Sequence, residues 1–150
     1  MKMKLYQVIN KYNELYNVSN VRNNKVLYNI SKNKKILMDE IETYNKQADE
    51  ISDKYVEKDE NGNNKTVIKV DEFNGNKERI LKFKFKEDGK TTYEKEYLDE
   101  MNELRDVEVD LPIRTIKFDD LEKDEGKLTP MEMDAIFFMI EESKKVRWCE

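Results

Sequence analysis

Residues 27–55, "LYNISKNKKILMDEIETYNKQADEISDKY", decide how this chain folds. Leu27, Ile30, Lys34, Leu37, Ile41, Tyr44, Ala48, Ile51 and Tyr55 follow one another in steps of three and four, and Lys34 alone among them is polar. An apolar stripe of that period is a coiled-coil seam, so the sequence predicts one long helix over about residues 21–57. A helix of about 35 residues reaches on the order of 50 Å, and each seam residue contributes about 1.5–3 kcal/mol only when buried. The helix therefore needs a partner, in its own chain or another.

Within the chain that partner is residues 91–105, where Tyr93, Tyr97, Leu98, Met101 and Leu104 form a shorter apolar face. Packed antiparallel, the two make a helical hairpin, and everything between them becomes an insertion at its tip. The insertion, about 64–90, reads as two strands: "KTVIKV" is β-branched, and "RILKFKFK" alternates Leu81, Phe83 and Phe85 against Lys82, Lys84 and Lys86. Asn74-Gly75 between them is a turn signal. Strict alternation sets the phenylalanines on one face as core and the lysines on the other as protection of a sheet edge.

On the other side of the long helix, Leu5, Val8, Ile9, Tyr12, Leu15 and Tyr16 share one helical face over residues 5–17. Beyond the second helix, Val107, Val109, Leu111 and Ile113 alternate as a strand, with Ile116 and Phe118 extending or answering it. "DDLEKDEGK" reads as an acidic loop or single turn. "LTPMEM" is a helix start: Thr129 as N-cap, Pro130 first in the helix, Glu132 at the capping-box position, and Leu128 with Met133 as a staple. That last helix is expected over 130–144. The expected fold is α+β in a single domain, 1–150: a coiled-coil-like helical hairpin with a β-hairpin at its tip, and a small antiparallel sheet plus terminal helices, about 106–144, at its base.

Composition narrows the chemistry. Charged residues are 41% of the 150, apolar residues 37%, and the net charge is −5. An acidic balance argues against a dedicated nucleic-acid binder, which relies on neutralising phosphate. There is no histidine, so the commonest general base and transition-metal ligand are missing. The single cysteine, Cys149, can form no intrachain disulfide. A reducing, cytoplasmic site is expected, since the N-terminus lacks the apolar run of a signal peptide and no stretch approaches a membrane span.

"DENGNN", residues 59–64, alternates oxygen ligands like a calcium loop. Counted from Asp59, the sixth position, which must be Gly, is Asn64, and the twelfth, which must be Glu, is Val70. The stretch reads as a turn, and neither metal, cofactor nor catalytic residues are expected. The cluster Asp119, Asp120, Glu122, Asp124 and Glu125 reads as a solvated loop.

Two binding readings stand. Residues 19–38 carry Arg22, Lys25, Lys32, Lys34 and Lys35 with no acid, whereas 39–60 carry nine acids against three lysines; the basic end is a candidate anion site. "MEMDAIFFMI", 131–140, is more apolar than one helix face requires. Phe138 and Met139, with the trailing Val146 and Trp148, are therefore either an interface or private core.

Four stretches together resemble a family of small uncharacterised proteins of Firmicutes phages and prophages. They are "KYNELYNV" (11–18), "YNISKNKKILMDEIETYNKQADEISDKYVEKDENGN" (28–63), "YLDEMNELRDVEVDL" (97–111) and "FDDLEKDEGKLTPMEMDAIFFMIEE" (118–142). The chain departs from that pattern at 64–92, where its β-rich insertion is longer. The resemblance implies a small protein of the infected cell acting by binding, and it brings no catalytic residues. The expected function is thus a non-enzymatic accessory protein that contacts a host or phage protein and self-associates. Inhibition of a host defence complex or assistance of virion assembly are the expected roles. The alternative is a binder that sequesters or reads an anionic nucleotide or nucleic acid.

Overall fold

A computed structural model describes residues 1–123 and 128–141. These residues form an α+β arrangement of five α-helices and two small antiparallel sheets. In chain order they are β1 (Lys2–Lys4), α1 (Leu5–Tyr16), α2 (Asn24–Tyr55), β2 (Thr66–Val70), β3 (Lys77–Leu81), α3 (Glu94–Arg105), β4 (Glu108–Asp110), α4 (Phe118–Glu122) and α5 (Pro130–Ile136), followed by a 3-10 turn, Phe137–Met139. The chain divides into two compact units, Met1–Thr43 with Asp106–Glu150, and Tyr44–Arg105. The long helix α2 contributes to both.

In the first unit β1 pairs antiparallel with β4, Met3 opposite Val109. α1 buries Leu5, Val8 and Leu15 and lies against α5. α2 begins at residue 24, three later than expected, because the Asn23 side chain caps it: Oδ1 accepts from the N–H groups of Lys25 (3.0 Å) and Val26 (3.2 Å). Its buried face is Val26, Ile30, Asn33 and Leu37. The seam expected at Leu27 and Lys34 is thus displaced by one residue, with Leu27 exposed and Lys34 half-buried. Both phases fit a 3.6-residue period. The amide of Asn33 selects one: Nδ2 donates to the Arg114 carbonyl (2.9 Å), and Oδ1 accepts from the Arg114 N–H (2.8 Å).

The last helix is shorter than its apolar run. Thr129 and Glu132 close the capping box and Pro130 stands in the first turn, but α5 stops at Ile136 instead of running to 144. After the 3-10 turn Ile140 is extended and bridges Ile116 in parallel; the Ile116 N–H donates to the Met139 carbonyl (2.8 Å). The physical reason lies in the sequence itself, since residues 135–140 offer no polar side. A continued helix would turn some of them to water, whereas the tighter turn followed by an extended residue buries Ile136, Phe138, Met139 and Ile140 together. Ile116 therefore answers Ile140 and not β4, and Phe118 opens α4.

In the second unit α2 ends at Tyr55, and residues 56–58 turn extended, with Val56 opposite Phe83 and Lys58 opposite Asn64. "DENGNN" forms the turn between them: Asp59 Oδ1 accepts from the N–H groups of Asn61 and Asn63, both at 2.9 Å, and Gly62 adopts φ 80°. β2 and β3 pair antiparallel from Thr66–Leu81 to Val70–Lys77. Their loop is closed by Asp71, whose Oδ1 accepts from the Phe73 N–H (2.8 Å), and by Gly75 at φ 70°.

Beyond Leu81 the chain changes partners, Phe83 meeting Val56 and Phe85 meeting Thr92. Phe83 packs on Tyr97, with ring centroids 5.3 Å apart, while Phe85 is exposed. One face of core phenylalanines, as the alternation suggested, does not form, because the two residues bridge different segments: Tyr97 covers the Phe83 ring, whereas Phe85, opposite Thr92, stays exposed. The lysines between them are tethered: Lys82 to Glu57 (3.1 Å), Lys84 to the Asp53 carbonyl (2.9 Å), and Lys86 to Glu96. α3 buries Met101, and its start lies beside the end of α2, where the Tyr55 and Tyr93 rings are 5.5 Å apart and Lys54 pairs with Glu100 at 3.1 Å.

Candidate functional site

In the first unit the start of α2, the segment 114–117 and α4 surround an open cleft of about 700 Å³. Lys25, Arg114, Lys117 and Lys123 line it, together with Asp119, Asp120 and Glu141. None of the four cations forms an ion pair with any described residue. Arg114 is fixed from two directions. Its backbone is held by Asn33, its Nε donates to Asn29 Oδ1 (2.7 Å), and its guanidinium lies 5.3 Å from the centre of the Tyr28 ring. Both Nη groups remain without a hydrogen-bond partner among the described residues.

Elsewhere in the first unit, Glu132 ties separate segments together. Its carboxylate accepts from the N–H groups of Ser19 (2.9 Å) and Asn20 (3.0 Å), from the Asn20 side-chain amide (2.6 Å) and from the Thr129 N–H (3.2 Å). The Asn20 amide, followed by the two backbone donors, pulls its pKa from an ordinary 4.5 down to about 2. The same residue that caps α5 thus ties the α1–α2 connection to it. Other carboxyls are also held in the anionic form: Asp88 by the Thr91 and Lys90 N–H groups, Glu96 by the Lys86 ammonium. A carboxyl tuned as a general acid is shifted the other way.

The second unit presents a different surface. Every residue of β2 is exposed, Ile68 at 61% and Val70 at 52%, and Phe73 at the hairpin end is fully exposed. β2 and β3 pair only with each other among the described strands. The register and the Asp71 N–H to Asn76 carbonyl bond (2.8 Å) direct alternate backbone groups, those of Thr66, Ile68 and Val70, away from β3. The pleat puts these three side chains on one face with Lys77, Arg79 and Leu81. That face carries two cations and no acid.

Of the five cations singled out from sequence as an anion site, Lys25 alone lines the cleft, where Asp119 and Asp120 of the acidic cluster join it. Lys32 lies over Tyr28 (5.6 Å) and Lys34 over Tyr16 (5.8 Å), while Arg22 and Lys35 are exposed elsewhere on the surface. The five do not converge. Arg114, Lys117 and Lys123, which join Lys25, come from the far end of the chain, and no spacing in "IRTIKFDDLEK" announces them. Phe138, at 9% exposure, and Met139, at 0%, belong to the core of the first unit, and Lys11 stands over the Phe138 ring at 5.3 Å. Val146 and Trp148 lie outside the described residues, as do Asp124 and Glu125 of the acidic cluster. Among the described residues no three acidic or cysteine side chains gather as a metal site, and no described helix is long and apolar enough to cross a membrane. No protein-family model, curated protein or solved structure matches the chain significantly.

Proposed function

We propose that this chain is a non-enzymatic accessory protein that acts by protein–protein contact, and that the β2–β3 hairpin is its contact surface. The observation that carries the reading is the exposure of an apolar strand with an unpaired edge. A lone two-stranded hairpin is marginally stable in water, and an unpaired aliphatic edge invites aggregation unless something covers it. Adding a strand from a partner satisfies the outward N–H and C=O groups of Thr66, Ile68 and Val70 and covers their aliphatic face. Lys77 and Arg79 on the same face define the partner's chemistry: an extended segment alternating acidic and aliphatic residues. The face has no aromatic side chain on which bases would stack, which favours a polypeptide over a nucleic acid.

In this reading α2 and α3 form the helical hairpin that carries β2 and β3, supported by the Tyr55–Tyr93 and Lys54–Glu100 contacts. In the phage or prophage setting implied by the resemblance, the partner belongs to the host cytoplasm or to the virion, and the contact blocks a defence complex or assists assembly. The test uses two synthetic strands, acetyl-(Glu-Val)4-amide and acetyl-(Lys-Val)4-amide, titrated into the ¹⁵N-labelled protein. The acidic strand is expected to shift the amides of Thr66, Ile68 and Val70, the basic strand to leave them, and the pair Lys77→Glu with Arg79→Glu to reverse the preference. Absence of any shift at β2, or a concentration-dependent mass abolished by Ile68→Lys, would remove the reading, the second by giving the edge to another copy of the chain.

A further inference from the structure

A second observation, in the other unit, supports a different kind of binding. The cleft beside the start of α2 gathers four cations that form no ion pair with the described residues although three carboxylates line the same walls. Flexible surface lysines ordinarily find nearby acids or remain dispersed. Arg114 is different because its position is set independently of any ligand. Asn33 holds its backbone by two bonds of 2.8 and 2.9 Å, and Asn29 takes its Nε at 2.7 Å. The Tyr28 ring supports the guanidinium, 5.3 Å from its centre. Asn33 is wholly buried, so this second layer is built into the core of the unit. What remains of the guanidinium is the Nη fork, the part that grips an anion by two parallel hydrogen bonds.

We propose that this cleft binds a small phosphate monoester on a hydroxylated carbon skeleton, a sugar phosphate or a nucleotide. The Arg114 fork takes the phosphate, Lys25 adds a second positive charge, and the carboxylates of Asp119, Asp120 and Glu141 accept from the hydroxyl groups of the skeleton. The carboxylates are what separate this ligand from a bare anion: they repel free phosphate and reward a molecule that brings donors with its charge. A volume of about 700 Å³ suits a ligand of that size. The inference is independent of the hairpin, whose residues lie in the other unit.

The test is calorimetric titration of the whole chain at low salt with three probes: ribose 5-phosphate, AMP and orthophosphate. Saturable binding of at least one ester, tighter than that of orthophosphate, is expected, weakened about tenfold or more in Arg114→Gln. The variant Lys35→Gln, a cation of α2 outside the cleft, is expected to stay within about twofold of the wild type. Arg114→Lys serves as a second variant; it keeps the charge but loses the fork, and an intermediate affinity is expected. Equal binding of ribose 5-phosphate and AMP assigns the ligand to sugar phosphates, and tighter AMP binding to nucleotides. The proposal is overturned if neither ester binds, if orthophosphate binds as tightly as both, or if Lys35→Gln weakens binding as much as Arg114→Gln does.

Discussion

Asn33 offers the sharpest test of how the first unit is held together. It is a polar residue on the buried face of a helix, at 0% exposure, between Ile30 and Leu37. Its amide satisfies both backbone groups of Arg114, donating at 2.9 Å and accepting at 2.8 Å. Replacing it with alanine removes both bonds and strands an N–H and a C=O. Each unsatisfied buried group costs about 1–3 kcal/mol, with the lower half of that range suited to groups bordering an open cleft. Alanine returns about 0.5 kcal/mol of helix propensity. The expected net loss is about 2–3 kcal/mol, which for a chain of this size lowers Tm by about 5–10 °C. Urea denaturation followed by circular dichroism reads it as a lower midpoint with an unchanged m-value. Asn33→Leu, which fills the volume without the amide, is expected to lose a similar amount, because the missing quantity is hydrogen bonding and not packing. A loss below about 0.5 kcal/mol in both variants, at constant m, would mean that water replaces the amide without cost. The Asn33 selection of the helix phase would then be wrong.

Three further outcomes follow from the same geometry. Glu132, with its pKa depressed from 4.5 to about 2, contributes stability that is fully present above about 4.5 and lost as the pH falls towards 2; Glu132→Gln is expected to be less stable at neutral pH and to show a shallower loss across that window in thermal melts. Phe138→Glu places a charge at a buried site and is expected to destabilise the chain by at least about 3 kcal/mol, so that light scattering finds a partly unfolded species and not a well-folded monomer. Ile68→Thr and Phe73→Ser alter exposed side chains and are expected to change stability by no more than about 0.5 kcal/mol, while Ile68→Thr weakens binding of the acidic strand peptide.

What could be read from the sequence was whatever has a period or a local signature. The full stripe of nine residues is not needed to see α2: a few seam residues such as Ile30, Leu37 and Ile51 already phase it, and all three are buried. Thr129, Pro130 and Glu132 announced α5 because a capping box is a contact between neighbours in sequence. β1 was not anticipated, since three residues, Lys2–Lys4, are too few to show alternation. The helical reading does not hold over 137–141 for a related reason: an unbroken apolar run has no phase, so it cannot distinguish a helix from a tight turn and an extended residue that bury the same side chains. The cleft lies further beyond reach. Lys25 stood out as part of a basic stretch, but Arg114 becomes a candidate only when Asn29 and Asn33, 85 and 81 residues earlier in the chain, are seen to hold it. Asparagines inside a helical stripe read as breaks in the pattern or as solvent positions. Here the break marks the point where α2 spends its inward face on another segment's backbone, and periodicity, which reports burial, carries no record of that exchange.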